Sequence, residues 1–164
     1  MTEDLPALHP SAQRVADALH AAGVQGTVRQ FEQSTKTSSE AAAALGCDLG
    51  AIASCLVFVA DDMAIVVITS GAHRVDTTFL AARIGAASVR MATASEVRTA
   101  TGQPIGGVAP INWPASLRVY LDEDLERHPE IWSAAGTPNA VFPTTFDELR
   151  RLAGATPQAV AAQG

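Results

Sequence analysis

Between Ser11 and Ala22, in SAQRVADALHAA, the apolar residues Val15, Ala18, Leu19 and Ala22 recur at helical spacing, and Gly23 follows as a stop. This predicts an amphipathic first helix. QGTVRQF then reads as a short strand, and TSSEAAAALG as a second helix capped by Ser38 or Ser39 and ended by Gly46, with the polar linker Glu32 to Thr37 between them. The most apolar segment, AIASCLVFVADDMAIVVIT, divides into two β-rich runs at Asp61 and Asp62, whose short polar side chains favour a turn. It predicts a central hairpin. Both runs are apolar on both faces, so the hairpin should be buried on both sides, with helices over at least one.

Asp76 can cap a helix that runs to Ile84 and stops at Gly85, and ASVRM gives a short strand. Two capping boxes follow. Thr93 with Glu96 opens TASEVRTATG, and Thr145 with Glu148 opens TFDELRRLAG, each placing an N-cap hydroxyl three residues before an acid. Between them lie GQPIGGVAPINW, a strand LRVYLD, an acidic turn EDLERHPE, and the short segments IWSAAG and NAVFP around Gly136. The tail ATPQAVAAQG has no periodic face and is expected to be disordered from residue 155 to 164. Strands and helices interleave without a strict βαβ rhythm. The expected fold is α/β (α+β), a mixed, mostly antiparallel, curved sheet or pseudo-barrel with flanking helices, in one domain over residues 1–154.

Composition narrows the function classes. With 48% apolar and 17% charged residues the chain is not a disordered one, and no apolar run reaches the roughly 18 residues needed to span a bilayer. The opening MTEDLPALHP has acids and prolines where a secretory signal would have a basic cluster, so a cytoplasmic protein is expected. A net charge of −6 argues against a generally basic nucleic-acid binder, though not against a local arginine patch. Lys36 is the single lysine. Cys47 and Cys55 lack CxxC spacing and read as reduced, structural thiols. No GxGxxG or Walker sequence occurs, and DEDLE lacks EF-hand spacing, so neither cofactor nor metal is implied.

Candidate chemistry gathers in loops. In GQPIGGVAPINW three glycines and two prolines interrupt a helix-friendly chain, which calls for backbone shape more than side chains: a structural turn or a ligand-binding rim. TSGAHR and AAGTPN likewise join glycine to polar neighbours, and such loops offer backbone N–H groups to an oxyanion or carbonyl. His73 is the histidine best placed for a site. His20 and His128 look structural, His9 belongs to a terminus expected to be mobile, and Asp76 reads as a cap rather than a base. Arg74 and Arg83 are the candidate phosphate contacts.

The run EAAAALGCDLGAIASCLVF, then GAHRVD, GGVAPINW and AAGTPNAVFPTTFDEL, in that order, resembles the YbaK/ProX family of aminoacyl-tRNA editing domains from about Ser11 to Ala153. That resemblance implies a β pseudo-barrel with flanking helices, free-standing or joined to prolyl-tRNA synthetases, that hydrolyses the ester of mischarged tRNA. On it, Gly106, Gly107 and Pro110, with Val108 between them, match the loop that shapes the aminoacyl pocket. Gly136, Thr137 and Asn139 match a second loop on its far side.

One position departs from the family. Members read IVKSLVF where this chain reads IASCLVF, so Ser54 stands in the lysine's place and the strand supplies no cation. Losing a preorganised donor at an oxyanion costs about 3 to 4 kcal/mol of transition-state stabilisation. Lys36, in the loop that the family places near the pocket entrance, is the candidate replacement. Alternation along a strand predicts that Ser54 and Cys55 do not both face the pocket, and Cys55 is expected to be buried and inert. The resulting expectation is a trans-acting deacylase for a small acyl group on proline tRNA, with Ser54 and Gly107 at the reacting centre. Gly106, Val108, Pro110, Gly136, Thr137, Asn139, His73 and Lys36 are expected around the substrate. Its partners would be the acceptor end of mischarged tRNA and a prolyl-tRNA synthetase, with no membrane, as a monomer or homodimer. The alternative is a non-catalytic module that kept the pocket to bind an aminoacyl-adenosine, a small ligand or a synthetase.

Overall fold

The computed structural model describes residues 7–114 and 116–162. Eight strands form one curved mixed sheet: β1 (Arg29–Gln30), β2 (Ile52–Ala60), β3 (Met63–Ser70), β4 (Val89–Met91), β5 (Arg118–Asp122), β6 (Ile131–Ala134), β7 (Ala140–Thr144) and β8 (Thr156–Gln158). Their order is β1-β7-β6-β2-β3-β5-β8, with β4 pairing β2 as well, so the path stays open rather than closing into a barrel. β2 and β3 are the expected hairpin, antiparallel over eight pairs from Ala53↔Ser70 to Ala60↔Met63. Asp61 and Asp62 turn it at positive φ, 47° and 70°. Antiparallel pairs also join β2 to β4, β6 to β7 and β1 to β7, whereas β2–β6, β3–β5 and β5–β8 are parallel.

The hairpin is buried on both faces. On one, Val57, Val66, Ile68 and Leu121 meet Val97, Leu125, Ile131 and Leu149 in the main core. On the other, Phe58, Ile65, Val67 and Tyr120 pack beneath Leu80 and Ile84. Four helices supply the cover, α2 (Ser38–Leu45), α3 (Thr77–Ile84), α4 (Ala94–Thr101) and α5 (Phe146–Ala153), while α1 (Pro10–Ala21) packs on Ala140 and Phe142 of β7. Local chemistry starts and stops them largely as expected: Asp76 caps α3, Thr93 and Glu96 form the full capping box of α4, and α2 to α5 all end at a left-handed glycine.

Several local expectations are corrected. Thr37, not Ser38 or Ser39, caps α2, because the Ser38 hydroxyl is turned onto Ser54. The second capping box is only half formed. Thr145 accepts the Glu148 N–H, but the Glu148 carboxylate accepts the Thr144 hydroxyl at 2.7 Å instead of reaching back. QGTVRQF is extended into a strand only at Arg29 and Gln30. His9 is not idle either: its Nδ1 accepts the Ser11 N–H as the cap of α1. The tail expected to be disordered instead adds β8 to the edge of β5 and buries Val160 to 1% exposure in the α3 layer. Residues 163 and 164 of it lie outside the described residues. No helix among the described residues is long and apolar enough to cross a membrane.

Candidate active site

The site arises from a gap in the sheet. β6 pairs β2 only at Ile52 and Ala53, and β4 pairs it only from Phe58 onward, so residues 54–57 have no ladder partner on that side. A cavity of about 100 Å³ opens there, walled by Ala53, Val57, Val97, Val108, Ser133 and Val141 and reached past Lys36, Ile105 and Gly106. Because it lies at a strand edge and not on one face, Ser54 and Cys55 both line it. This corrects the expectation that alternation keeps one of them away.

Four of the expected site residues meet on this wall: Ser54, Lys36, Gly106 and Val108. Lys36 is exposed at the mouth, its ammonium in no ion pair among the described residues, and a methyl group on Gly106 would sit 3.8 Å from Lys36 Cβ. Gly106 itself adopts φ +93°, a conformation that glycine reaches without strain. The amides of Gly106 and Val108 donate to no group among the described residues, so two backbone donors remain unspent at the cavity. The Gly107 amide is committed to the Pro104 carbonyl at 3.4 Å.

The other expected residues act one layer out. Gly107 and Gly136 join the two glycine loops directly, the Gly136 N–H donating to the Gly107 carbonyl at 3.0 Å. A side chain on Gly107 would press 2.7 Å from the Thr137 carbonyl carbon, so glycine is what lets the loops close up. Pro110 is buried behind them. Thr137 donates to Asn139 Oδ1, and Asn139 Nδ2 donates to the Phe31 carbonyl at 2.6 Å, while the Thr35 N–H donates to the Pro138 carbonyl. This loop therefore holds the linker that delivers Lys36. His73 does not reach the cavity: its ring nitrogens face Asp122 at 3.0 Å and Asp124 at 2.8 Å, and Asp122 also accepts the Ser70 N–H. Its TSGAHR loop approaches the site only through Gly71, which packs on Ser38.

Three further residues escaped the sequence reading. Gln103, buried, clamps the glycine loop by accepting the Ala109 N–H at 2.8 Å and donating to the carbonyls of Ala109 and Ile111. Its position inside a glycine-and-proline stretch was the available signal. Ser133 lies in the cavity wall, 1% exposed, and its Oγ has no hydrogen-bond partner among the described residues. Arg29 stacks over Phe31 at 5.2 Å and over Trp132, a cavity residue, at 5.7 Å. Arg83, by contrast, stacks on Phe79 of α3, and Arg74 borders a separate groove beside His73.

Cys55 is half-buried rather than fully buried as expected, and the desolvation of its thiol argues against a nucleophilic role. Burial pushes the Cys55 thiol up to about 12, with the neighbouring Ser133 hydroxyl pulling weakly the other way. What remains is a small, mainly apolar chamber with one lysine at its mouth and two uncommitted amides, of Gly106 and Val108, among its lining residues. That arrangement can bind a small acyl group and stabilise negative charge developing at its carbonyl.

Comparison with known proteins agrees with this geometry. The family profile described as "Aminoacyl-tRNA editing domain" matches residues 32–152. YwhH of Bacillus subtilis (strain 168), an uncharacterized protein, is 32% identical over 126 residues, covering 76% of this chain and 80% of YwhH. A proline–tRNA ligase of Nitratidesulfovibrio vulgaris (strain DP4) is 31% identical over 90 residues, which is 55% of this chain but only 16% of the ligase. A crystal structure described as a candidate trans-editing enzyme for prolyl tRNA synthetase superposes with a TM-score of 0.86 at 41% identity, covering 96% of this chain and all of the other. The chain belongs to the aminoacyl-tRNA editing domain family.

Proposed function

We propose that this protein acts in trans as a deacylase, hydrolysing the ester of a mischarged tRNA that bears a small acyl group, with proline tRNA as the carrier. The observation that carries this reading is the strand-edge cavity, with Lys36 at its mouth and the uncommitted amides of Gly106 and Val108 among its lining residues. The acyl side chain enters the chamber, where about 100 Å³ excludes large residues. Water attacks the carbonyl carbon. The carbonyl oxygen takes up negative charge facing the free amides and Lys36, the bond to the ribose oxygen breaks, and that oxygen leaves with a proton as the tRNA hydroxyl. Lys36 thus supplies from the linker the cation that the Ser54 position lacks. The chain's likeness to a trans-editing enzyme and to part of a proline–tRNA ligase supports both the free-standing role and the tRNA.

The test is hydrolysis of alanine, cysteine and serine esters on proline tRNA. The native protein should exceed the spontaneous rate on at least one. Lys36→Ala should slow it about a hundredfold, as loss of one oxyanion donor does, and Ser54→Lys should change it little. Gly107→Val should abolish it by prising the two loops apart. No turnover on any ester, together with tight binding of an aminoacyl-adenosine analogue, would overturn the reading in favour of pure recognition.

A further inference from the structure

The cavity wall contains five hydroxyl-bearing or charged side chains besides the thiol of Cys55, and three are already committed. Thr35 donates to the Pro138 carbonyl, Thr37 accepts the Glu40 N–H, and Ser54 is paired with Ser38 at 3.0 Å. Two are left. Lys36 stands exposed at the mouth, and Ser133 lies deep in the wall with an unpartnered Oγ. The register explains why the hydroxyl points inward. Ser133 pairs with Ala53 and shares the inner side of its strand with Ile131, whereas Trp132 packs with Ile52 on the other side. Its surroundings are otherwise Ala53, Val57, Val97 and Val108, with the thiol of Cys55, a weak hydrogen-bonding group, beside it.

A buried hydroxyl without a partner is costly to leave unmet, so a ligand that meets it is preferred over one that cannot. We infer that Ser133 is a specificity-determining residue, and that the acyl group this cavity takes is a small one whose side chain bears a hydroxyl, of the serine type, rather than a purely aliphatic one such as alanine. This rests on the deacylase reading above. The α-ammonium of the aminoacyl group is a poorer match for the same hydroxyl. Every aminoacyl ester carries it, it would need a carboxylate to be desolvated cheaply, and no acid lines the cavity. A serine hydroxyl can either donate to Ser133 Oγ or accept from it, so one hydrogen bond forms in either orientation. An alanine ester leaves both hydroxyl functions unmet and differs by one oxygen, so a single residue can set the ratio between the two substrates.

The experiment compares kcat/KM for serine and alanine esters on the same proline tRNA, using the native protein, Ser133→Ala and Ser133→Cys. The native protein should favour the serine ester by at least about tenfold. Ser133→Ala should bring the ratio close to one, and Ser133→Cys, a weaker hydrogen-bonding group of similar size, should fall between. Thermal denaturation adds an independent readout. Removal of a hydroxyl that bonds nothing in the fold should leave Tm unchanged or raised, whereas a hydroxyl with a structural partner would lower it. A native preference for the alanine ester, or a ratio that Ser133→Ala leaves unmoved, overturns the assignment while leaving the deacylase reading intact. Failure of the native protein on every ester overturns both.

Discussion

At the residue scale, the two neighbours Ser54 and Cys55 show how environment outranks residue type. Both line the cavity, and a thiol beside a candidate ester site invites a nucleophilic role. Burial forbids it. With a thiol held near 12, roughly one molecule in ten thousand carries the thiolate at pH 8. Cys47 is also raised, by burial and by the neighbouring Asp48. The expected outcome is that iodoacetamide at pH 8 leaves Cys55 unmodified in the folded protein, and that Cys55→Ala retains deacylation within a few-fold. A hundredfold loss in that variant would make the cysteine a participant after all. The sign of the pH effect follows from the same shift. The fold favours the neutral thiol, so this contribution is complete below the ordinary value of 9.0 and is lost as pH climbs from 9 towards 12.

At the element scale, what was legible in the sequence is what local chemistry decides. Asp76, Thr93 with Glu96, and the terminal glycines mark helices because a cap is satisfied within four residues of itself. The hairpin was legible for a similar reason, since Asp61 and Asp62 turn between two runs long enough to pair over their length. The cavity was not. It exists because β4 and β6 meet β2 at opposite ends, and the register between strands so distant in sequence leaves no trace in the local pattern of either. The candidate site was therefore only partly readable: Lys36, Gly106 and Ser54, singled out from the sequence, line the cavity, whereas Ser133 and Gln103 answer to neighbours that only the fold supplies. β8 belongs with the unreadable elements. Three residues are too few for periodicity, yet Val160 just beyond them fills the α3 layer and its carbonyl accepts the Asp76 N–H at 2.9 Å. Val160→Ala should accordingly lower stability by about 1 to 3 kcal/mol in urea denaturation, a cost of the size that buried truncations carry. A change below about 0.3 kcal/mol would mean that the tail contributes no packing.

At the scale of the whole molecule, charge limits how much tRNA the protein can hold. A net charge of −6 repels a polyanion, so binding has to rest on cations placed at the site and not on an extended basic face. Two cations are the candidates: Lys36 at the cavity mouth and Arg29, outside the lining but stacked over the cavity residue Trp132. Each single-stranded phosphate contact contributes about 0.7 to the slope of log affinity against log salt, so two contacts give a slope near −1.4. Raising salt from about 50 to about 200 mM should then weaken tRNA binding by about sevenfold, against the thousandfold or greater losses of proteins that grip six or more phosphates. Arg29→Ala should remove about half of that slope while leaving the ratio between acyl groups unchanged, because it touches the carrier and not the chamber. Fluorescence anisotropy of a labelled acceptor-stem mimic across a salt series measures it directly. A slope steeper than about −4 would require a broad phosphate-binding surface, and the acceptor end alone would then be too small a partner for this protein.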